Sequence, residues 1–228
     1  MTITGSYAAP EILAETDWLE ANLSNLDVRI IDARSEDKYD AGHIAEAINL
    51  TNIPWDVEST DPTEFAEILS GHGISDQHVV VCYDDLGPPA ARLWWVLSYY
   101  GLTTARFLNG GIAKWIQEGR ATTREKPSFP QTNFEVQVMP DFHCNLDYAK
   151  AGVDNPNTIF WDTRLEGEYT GEIARGNAPN RVGHIPGAEH LEWNTLVEPD
   201  SQTIKPANEI QAILEAHGMT PDKEILTY

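Results

Sequence analysis

The sequence predicts an α/β fold with two similar domains, each a mainly parallel central sheet flanked by helices. Three observations predict it. Two short runs, VRIIDA (28–33) and TIFWDT (158–163), are mostly apolar and rich in β-branched or aromatic residues, as expected for buried parallel strands. Helical stretches alternate with such runs, which is typical of βαβ units. The order of elements in the first half also recurs in the second, which indicates a repeat.

The first repeated element is a strand together with the residues that follow it. Each strand ends in an Asp-x-Arg sequence, a tyrosine follows, and then Gly-His-Ile, at 42–44 and at 183–185. The shared residues are Asp32, Arg34, Tyr39 and His43 in the first copy and Asp162, Arg164, Tyr169 and His184 in the second. The tyrosine and the glycine are 3 positions apart in the first copy and 14 in the second, so the second copy contains an insert of 11 residues.

A helix and a central strand follow in both copies. The stretches EFAEILSG and NEIQAILEA are predicted helices, each followed closely by a glycine suited to a helix C-terminus. From His72 to Tyr83 and from His217 to Tyr228 the copies run for 12 positions without a gap. The run VVVCY therefore corresponds to EILTY, and both are predicted to be central strands.

The first copy continues after its central strand. It contains the predicted helix AARLWWVLSYYG, the strand ARFL, the turn Asn109-Gly110-Gly111 and the helix IAKWIQEG, in all 36 residues from Tyr83 to Gly119. The second copy has no counterpart of this stretch after Tyr228. We therefore expect the second domain to be incomplete, through truncation or an incomplete sequence, and a naturally shorter domain is the alternative.

The stretch after Gly119 is polar and contains prolines, without apolar periodicity. This composition predicts a linker. We expect an N-terminal domain over 8–122, a linker over 123–139 and a C-terminal domain over 140–228.

Composition excludes several classes of partner. Against 36 Asp and Glu there are 15 Lys and Arg, giving a formal net charge of −21, whereas nucleic acids and anionic membranes require a cationic face. No stretch approaches the roughly 20 apolar residues of a membrane span, and the N-terminus lacks the features of a signal peptide. Cys82 and Cys144 cannot form a disulfide framework, and no Cys/His pair has zinc spacing. We expect a cytoplasmic protein without a metal.

Two motifs carry a family resemblance. The pattern Asp-x-Arg…Tyr…Gly-His-Ile-Pro-Gly-Ala, complete at 162–188, resembles the rhodanese homology domain, and so does LNGGIAKW at 108–115. Over about 10–228 the chain resembles tandem-rhodanese sulfurtransferases of the thiosulfate or 3-mercaptopyruvate type, and stretch 168–184 is most similar to the bacterial thiosulfate enzymes. The resemblance implies two rhodanese-like domains, the first non-catalytic. It also implies transfer of sulfane sulfur from thiosulfate to cyanide or a thiol through a cysteine persulfide, without a cofactor.

The resemblance places the nucleophilic cysteine directly after the central strand of the second domain, at the position that follows Tyr228. Its counterpart in the first copy is Asp84, which cannot carry a persulfide. Neither Cys82, inside a predicted strand, nor Cys144 occupies the family position, and we interpret both as structural. The chemistry requires a stabilised thiolate, which backbone N–H groups and a helix N-terminus can provide.

Asp162 and Arg164 are candidates for the substrate site because they flank the carboxyl end of a strand, where open parallel sheets place their sites. Further candidates lie in the segments that follow this strand. The full set is Asp162, Arg164, Glu168, Arg175, Arg181, His184 and Trp193, with Asp32, Arg34, His43 and Asp84 in the inactive copy. For the Asp–Arg pair and the histidine we favour a structural role over a role in the reaction, because the inactive copy repeats them. Trp193 and its counterpart Trp55 either line an interdomain cleft or pack in the core.

In relatives a basic residue in the segment after this strand can contact the donor anion, whereas Glu168 stands there in this chain. Arg175 or Arg181 in the insert is the candidate to replace it.

Two other functions remain open from the sequence. One is a non-catalytic rhodanese-like module that binds a protein or sulfur carrier, and the other is a cysteine phosphatase of related fold. The residue that follows Tyr228 and the loop that it opens distinguish all three. The expected partners are a small-molecule sulfur donor and acceptor, and the sequence leaves the preferred donor, the acceptor and the oligomeric state undetermined.

Overall fold

The computed structural model describes residues 7–51, 53, 56–85, 88–174 and 181–228. Two of the predicted site residues, Trp55 and Arg175, lie outside the described residues. Contacts divide the chain into an N-terminal unit, Ala8–His143 with Asp200–Thr203, and a C-terminal unit, Cys144–Pro199 and Ile204–Tyr228 with Tyr7. Each unit contains a parallel sheet flanked by helices, so the predicted α/β architecture is confirmed.

The sheet of the N-terminal unit has five strands, all paired in parallel. They are β1 (Leu13–Ala14), β2 (Val28–Asp32), β3 (Ala47–Asn49), β4 (Val79–Tyr83) and β5 (Arg106–Leu108). Their order is β1-β5-β4-β2-β3, which places β4 in the centre of the sheet between β5 and β2. The predicted strands VRIIDA, VVVCY and ARFL are confirmed.

Among the described residues, five α-helices flank this sheet. They are α1 (Thr16–Ala21), α2 (Glu36–Ala41), α3 (Pro62–Gly71), α4 (Pro88–Tyr99) and α5 (Gly111–Gln117), with 3-10 turns at Pro10–Ile12 and Pro140–Phe142. The side chain of Asp61 accepts a hydrogen bond from Thr63 N at 2.8 Å and so begins α3. Gly73, with φ +73°, follows its end. In the part of the chain that the structure describes, no helix is long and apolar enough to cross a membrane.

Both faces of the five-stranded sheet are buried because successive strand residues point to opposite faces. On one face Ile31 and Cys82 pack with Phe65 of α3 and Leu93 of α4. The opposite face forms a second cluster in which Ile30, Val81 and Tyr83 pack with Ile112 and Trp115 of α5. The helices predicted after the central strand therefore complete the core of this unit.

The C-terminal unit has a smaller sheet, in the order β7-β6-β8. Its elements are α6 (Leu146–Gly152), β6 (Thr158–Asp162), α7 (Glu166–Thr170), β7 (Glu189–His190), a 3-10 turn at Trp193–Leu196, α8 (Ala207–Ala216) and β8 (Glu224–Thr227). Asp32 ends β2 and Asp162 ends β6, while Tyr83 ends β4 and Tyr228 directly follows β8. The residues predicted to correspond therefore lie at equivalent points of the two sheets.

The predicted linker packs along the N-terminal unit. Thr123 and His43 exchange two backbone hydrogen bonds of 2.8 and 2.9 Å, and the side chain of Phe134 is buried in the core. Further along, Gln137 N donates to Tyr100 O at 3.1 Å. The limits assigned to the two domains and to the linker stay a prediction.

The strands that the repeat aligns, β4 and β8, should differ in protection from hydrogen exchange. The run EILTY was predicted to be a central strand, but among the described residues β8 lies at the edge of its sheet, because its order is β7-β6-β8. Four of the five residues of β4 are buried, and it pairs on both sides, whereas the residues of β8 are half-buried or exposed and pair with β6 alone among the described residues. We expect the amides of β8 to exchange faster than those of β4, because local opening there exposes less buried surface. Exchange followed by mass spectrometry on the intact chain measures this, and equal protection would contradict the expectation.

Candidate active site

At the carboxyl end of β6, Asp162 and Arg164 form a close ion pair. The Asp162 side chain is fully buried, and its two oxygens lie 2.9 Å from Arg164 Nε and 2.5 Å from Nη2. The backbone N of Arg164 also donates to Asp162 at 3.0 Å. Arg164 Nη2 donates in turn to the carbonyl oxygen of Gly183 at 2.9 Å. The pair therefore ties the end of the strand to the Gly-His-Ile segment.

Tyr228 completes this arrangement from the end of β8. Its hydroxyl accepts a hydrogen bond from Ile185 N at 3.0 Å and is hydrogen-bonded to the carboxylate of Asp162. Burial raises the pKa of the tyrosine, and its bond to Asp162 acts in the same direction. The last residue before the predicted nucleophile position is thus held by its side chain.

An aromatic stack lies beside this ion pair. The ring of Tyr169 stacks on His184 at 3.7 Å between centroids and on His190 at 4.6 Å. His184 Nδ1 lies 2.8 Å from the carbonyl oxygen of Tyr169, and His190 Nε2 lies 2.9 Å from that of Arg164. Both imidazoles thus contact backbone carbonyls close to the strand end.

The 11-residue insert leaves the stack intact because its two ends lie together. Gly171 has φ +85°, and a Cβ atom there would lie 3.1 Å from Gly183 N. The insert begins after α7 and ends before Gly183, whose carbonyl oxygen accepts a hydrogen bond from Arg164 Nη2. The spacing between tyrosine and histidine therefore differs in sequence but not in space: ring centroids are 3.7 Å apart here and 3.8 Å apart for Tyr39 and His43.

The N-terminal unit repeats the arrangement nearly atom for atom. Asp32 pairs with Arg34 at 2.6 Å, and Arg34 Nη2 donates to Gly42 O at 2.8 Å. The hydroxyl of Tyr83 donates to Asp32 at 2.7 Å and accepts from Ile44 N at 3.1 Å. Asp84 stands at the predicted nucleophile position of this copy and cannot carry a persulfide, so sulfur transfer at that position would not explain the arrangement there. The geometry thus supports the structural interpretation of the Asp–Arg pair and of the histidine.

The remaining candidates lie in different environments. Glu168 is buried, and its carboxylate accepts from Leu165 N at 3.3 Å at the start of α7. Arg181 is exposed on the insert. Trp193 is half-buried, and its backbone N donates to Thr163 O at 3.2 Å. Of the three, Arg181 alone presents a cation to solvent.

Neither cysteine is activated. Cys82 is fully buried in β4, and this burial raises the pKa of its thiol well above the ordinary value. Burial and the nearby carboxylate of Glu224 raise the pKa of the Cys144 thiol as well. Both are therefore neutral thiols near neutral pH, and a thiol is a poor nucleophile compared with its thiolate. Among the described residues no group of three or more His, Cys, Asp or Glu side chains could hold a metal ion.

Sequence reasoning missed one contact. Asn49 Nδ2 donates to Arg34 O at 2.8 Å, at the position that His190 takes in the second copy. Both residues secure the carbonyl of the arginine in the Asp-x-Arg sequence. The sequence contained a signal for this contact, because in each copy a polar residue stands six positions after the histidine of Gly-His-Ile.

Burial of Asp162 opposes its ionisation, but hydrogen bonds from Arg164 and Tyr228 outweigh it, so the pKa of this carboxyl lies below its ordinary value. An acid whose pKa is lowered by folding stabilises the folded state above its unfolded pKa, about 3.9. That stabilisation is lost as the pH falls through the folded pKa. We expect the difference in unfolding free energy between the wild type and Asp162→Asn to shrink below about pH 4. Urea unfolding of both chains, followed by hydrogen exchange in peptides that contain β6, tests this expectation. A difference in unfolding free energy that does not change with pH would contradict it.

A family model described as the rhodanese-like domain matches residues 15–118 and 145–228. The chain belongs to the rhodanese-like family and carries two such regions. The sulfur carrier protein TtuD of Thermus thermophilus is 35% identical over 242 residues, covering 97% of this chain and 83% of that protein. The thiosulfate sulfurtransferase of Azotobacter vinelandii is 32% identical over 233 residues, with coverages of 97% and 83%.

A solved structure agrees with this assignment. The 3-mercaptopyruvate sulfotransferase SseA from Escherichia coli superposes with a TM-score of 0.83 at 25% identity, covering 95% of this chain and 87% of that chain. The relatives thus include both sulfurtransferases and a sulfur carrier.

Proposed function

We propose that this protein is a cytoplasmic sulfurtransferase that moves sulfane sulfur from thiosulfate to cyanide or a thiol. In this proposal the nucleophile is a cysteine at the position that would follow Tyr228. The observation that carries the proposal is the equivalence of the two sheets. Position 84, directly after β4, corresponds to the position after Tyr228, and the Tyr228 hydroxyl is held as that of Tyr83 is.

The reaction follows from the chemistry of a thiolate at that place. The thiolate attacks the outer sulfur of thiosulfate, the S–S bond breaks and sulfite leaves with the electron pair. The enzyme then carries a cysteine persulfide. Cyanide or a thiolate attacks the outer sulfur of this persulfide, so that thiocyanate or a new persulfide leaves and the enzyme thiolate returns. No metal or organic cofactor is needed for either step.

The donor anion requires a cation because the chain as a whole would repel it. Glu168 cannot supply one, and its carboxylate is buried at the start of α7. Arg181 is exposed on the insert whose ends lie beside Arg164. We assign donor binding to Arg181, together with Arg175 of the same insert.

A second function has one observation in its favour. Both cysteines of the 228-residue chain have raised thiol pKa values, and neither occupies the position directly after a central strand. A rhodanese-like module that binds a partner without catalysis would need no thiolate. The two functions predict different results for a chain extended beyond Tyr228 by a cysteine and its loop. The sulfurtransferase would convert thiosulfate and cyanide into sulfite and thiocyanate, and the binding module would not.

The test compares two chains in the same assay. A chain extended beyond Tyr228 by a cysteine and the loop that it opens should release sulfite from thiosulfate and form thiocyanate from cyanide, and the 228-residue chain should do neither. In the extended chain, replacement of the new cysteine with serine serves as the control and should abolish both activities. If the extended chain has a cysteine after Tyr228 and still forms no thiocyanate, the binding module is the better description.

A further inference from the structure

In the N-terminal unit, His43 lies between the end of α2 and the linker, and both of its ring nitrogens face backbone carbonyls. Nδ1 lies 2.8 Å from the carbonyl oxygen of Tyr39, and Nε2 lies 3.0 Å from that of Glu125. A carbonyl oxygen can only accept a hydrogen bond, and a neutral imidazole has a single N–H group. Only the imidazolium form, with an N–H group on each nitrogen, can donate to both carbonyls.

The surroundings of His43 favour a cation, although the residue is fully buried. Two hydrogen bonds from a charged donor offset part of the cost of burying the charge. The carbonyl of Tyr39 also lies at the C-terminal end of α2, where the helix dipole favours positive charge. In addition the imidazole stacks on the ring of Tyr39 with 3.8 Å between centroids, and the face of an aromatic ring attracts a cation.

The other titratable side chains around His43 come from α2, the ends of β2 and β4, and the linker. They are two ion pairs (Asp32–Arg34 and Asp40–Lys126), two exposed side chains of opposite charge (Arg124 and Glu125) and two tyrosines (Tyr39 and Tyr83). Burial raises the pKa of both tyrosines, so neither carries a charge near neutral pH. These neighbouring charges cancel in sum, and the two carbonyl oxygens therefore decide which form of His43 fits.

His184 repeats this arrangement without the second carbonyl. Its ring stacks on Tyr169 at 3.7 Å and its Nδ1 lies 2.8 Å from the carbonyl oxygen of Tyr169, but the residue is exposed. In the part of the chain that the structure describes, its Nε2 has no hydrogen-bond partner. A neutral imidazole therefore satisfies His184, and the difference between the two copies arises from the linker that reaches His43.

We propose that His43 is a proton-dependent latch for the linker. As an imidazolium it joins the end of α2 to Glu125, beside the two backbone hydrogen bonds between His43 and Thr123. When it releases a proton to solvent, the lone pair of one ring nitrogen faces a carbonyl oxygen and the two repel. The repeat indicates that this nitrogen is Nε2, because His184 keeps the Nδ1 contact alone. The linker is therefore held more firmly at low pH and loosens as the pH rises, whether or not the proposed sulfur transfer holds.

Nitrogen NMR of the intact 228-residue chain tests the protonation of the ring, because protonated and unprotonated imidazole nitrogens differ in chemical shift. At about pH 7.5, above the ordinary histidine pKa of about 6.5, His43 should have two protonated nitrogens and His184 one. Through-space contacts with Tyr39 and Tyr169 identify the two rings, so the measurement requires no variant. An unprotonated nitrogen on His43 at this pH would overturn the proposal.

Hydrogen exchange tests the effect of the proton on the linker. The amide of Thr123 donates to the carbonyl oxygen of His43 at 2.8 Å, and the amide of Gln137, further along the linker, donates to that of Tyr100 and serves as the control. Each protection factor is taken relative to the intrinsic exchange rate at the same pH. From about pH 6 to about pH 9 the protection of Thr123 should fall about fivefold relative to that of Gln137, the equivalent of one hydrogen bond. A ratio that stays constant over this range would overturn the latch.

Discussion

Replacing Asp32 with alanine should lower the unfolding free energy of the N-terminal unit by about 3–5 kcal/mol. The Asp32 side chain is fully buried, and it receives hydrogen bonds from Arg34 and from the hydroxyl of Tyr83. Without the carboxylate, the guanidinium of Arg34, whose side chain is 7% exposed, loses its buried counter-charge. Removing one partner of a buried ion pair is far costlier than removing an exposed pair. Urea unfolding of the intact chain, followed by hydrogen exchange in peptides that contain β2, measures the loss of unfolding free energy.

Two variants serve as controls. Asp162→Ala should cost less, because the side chain of Arg164 is 32% exposed and water can replace part of the lost interaction. Asp40→Ala removes an exposed pair with Lys126 and should change stability by no more than about 0.5 kcal/mol. If Asp32→Ala destabilised the chain no more than Asp40→Ala, the buried pair would not be a structural requirement.

The second large effect is expected at Gly111, at the start of α5. Its φ of +55° is unfavourable for residues with a side chain, and a Cβ atom would lie 2.5 Å from the carbonyl oxygen of Asp84. The backbone conformation alone costs about 1–2 kcal/mol for alanine, and the clash forces a shift against a hydrogen-bonded strand end. We expect Gly111→Ala to cost more than about 2 kcal/mol in total.

Gly119→Ala is the matched control for this substitution. Gly119 has a similar φ of +74°, but no atom lies within 4 Å of the position of its Cβ. It should therefore show the conformational cost alone, about 1–2 kcal/mol. Equal losses for the two variants, measured by urea unfolding, would show that the approach of Gly111 to Asp84 is not tight.

The strands and the repeat could be predicted because their signals are local or recur. VRIIDA and VVVCY are mostly apolar, as expected for strands covered on both faces, and the 12 positions up to Tyr83 align with those up to Tyr228 without a gap. The recurrence also identifies the Asp–Arg pair and the histidine as features that both copies share. A residue repeated in a copy without the nucleophile indicates structure rather than chemistry.

Other features depend on contacts between residues that are distant in sequence. The apparent linker contains Phe134, which is buried because its neighbours in space, Phe65 and Leu69, come from α3. The hydrogen bond from Ile185 N to the hydroxyl of Tyr228 spans 43 positions. Only the structure shows that the carboxylate of Glu168 is buried and accepts a hydrogen bond from Leu165 N. No local pattern predicts such pairings.

The most direct test of the account is the intact mass of the 228-residue chain after incubation with thiosulfate. The account predicts no gain of about 32 Da, the mass of one sulfur atom on a cysteine, because Cys82 and Cys144 are neutral thiols away from the nucleophile position. A chain extended beyond Tyr228 by a cysteine and the loop that it opens should gain that mass on this cysteine. A stoichiometric persulfide on Cys82 or Cys144 of the short chain would contradict the account and identify that cysteine as the nucleophile.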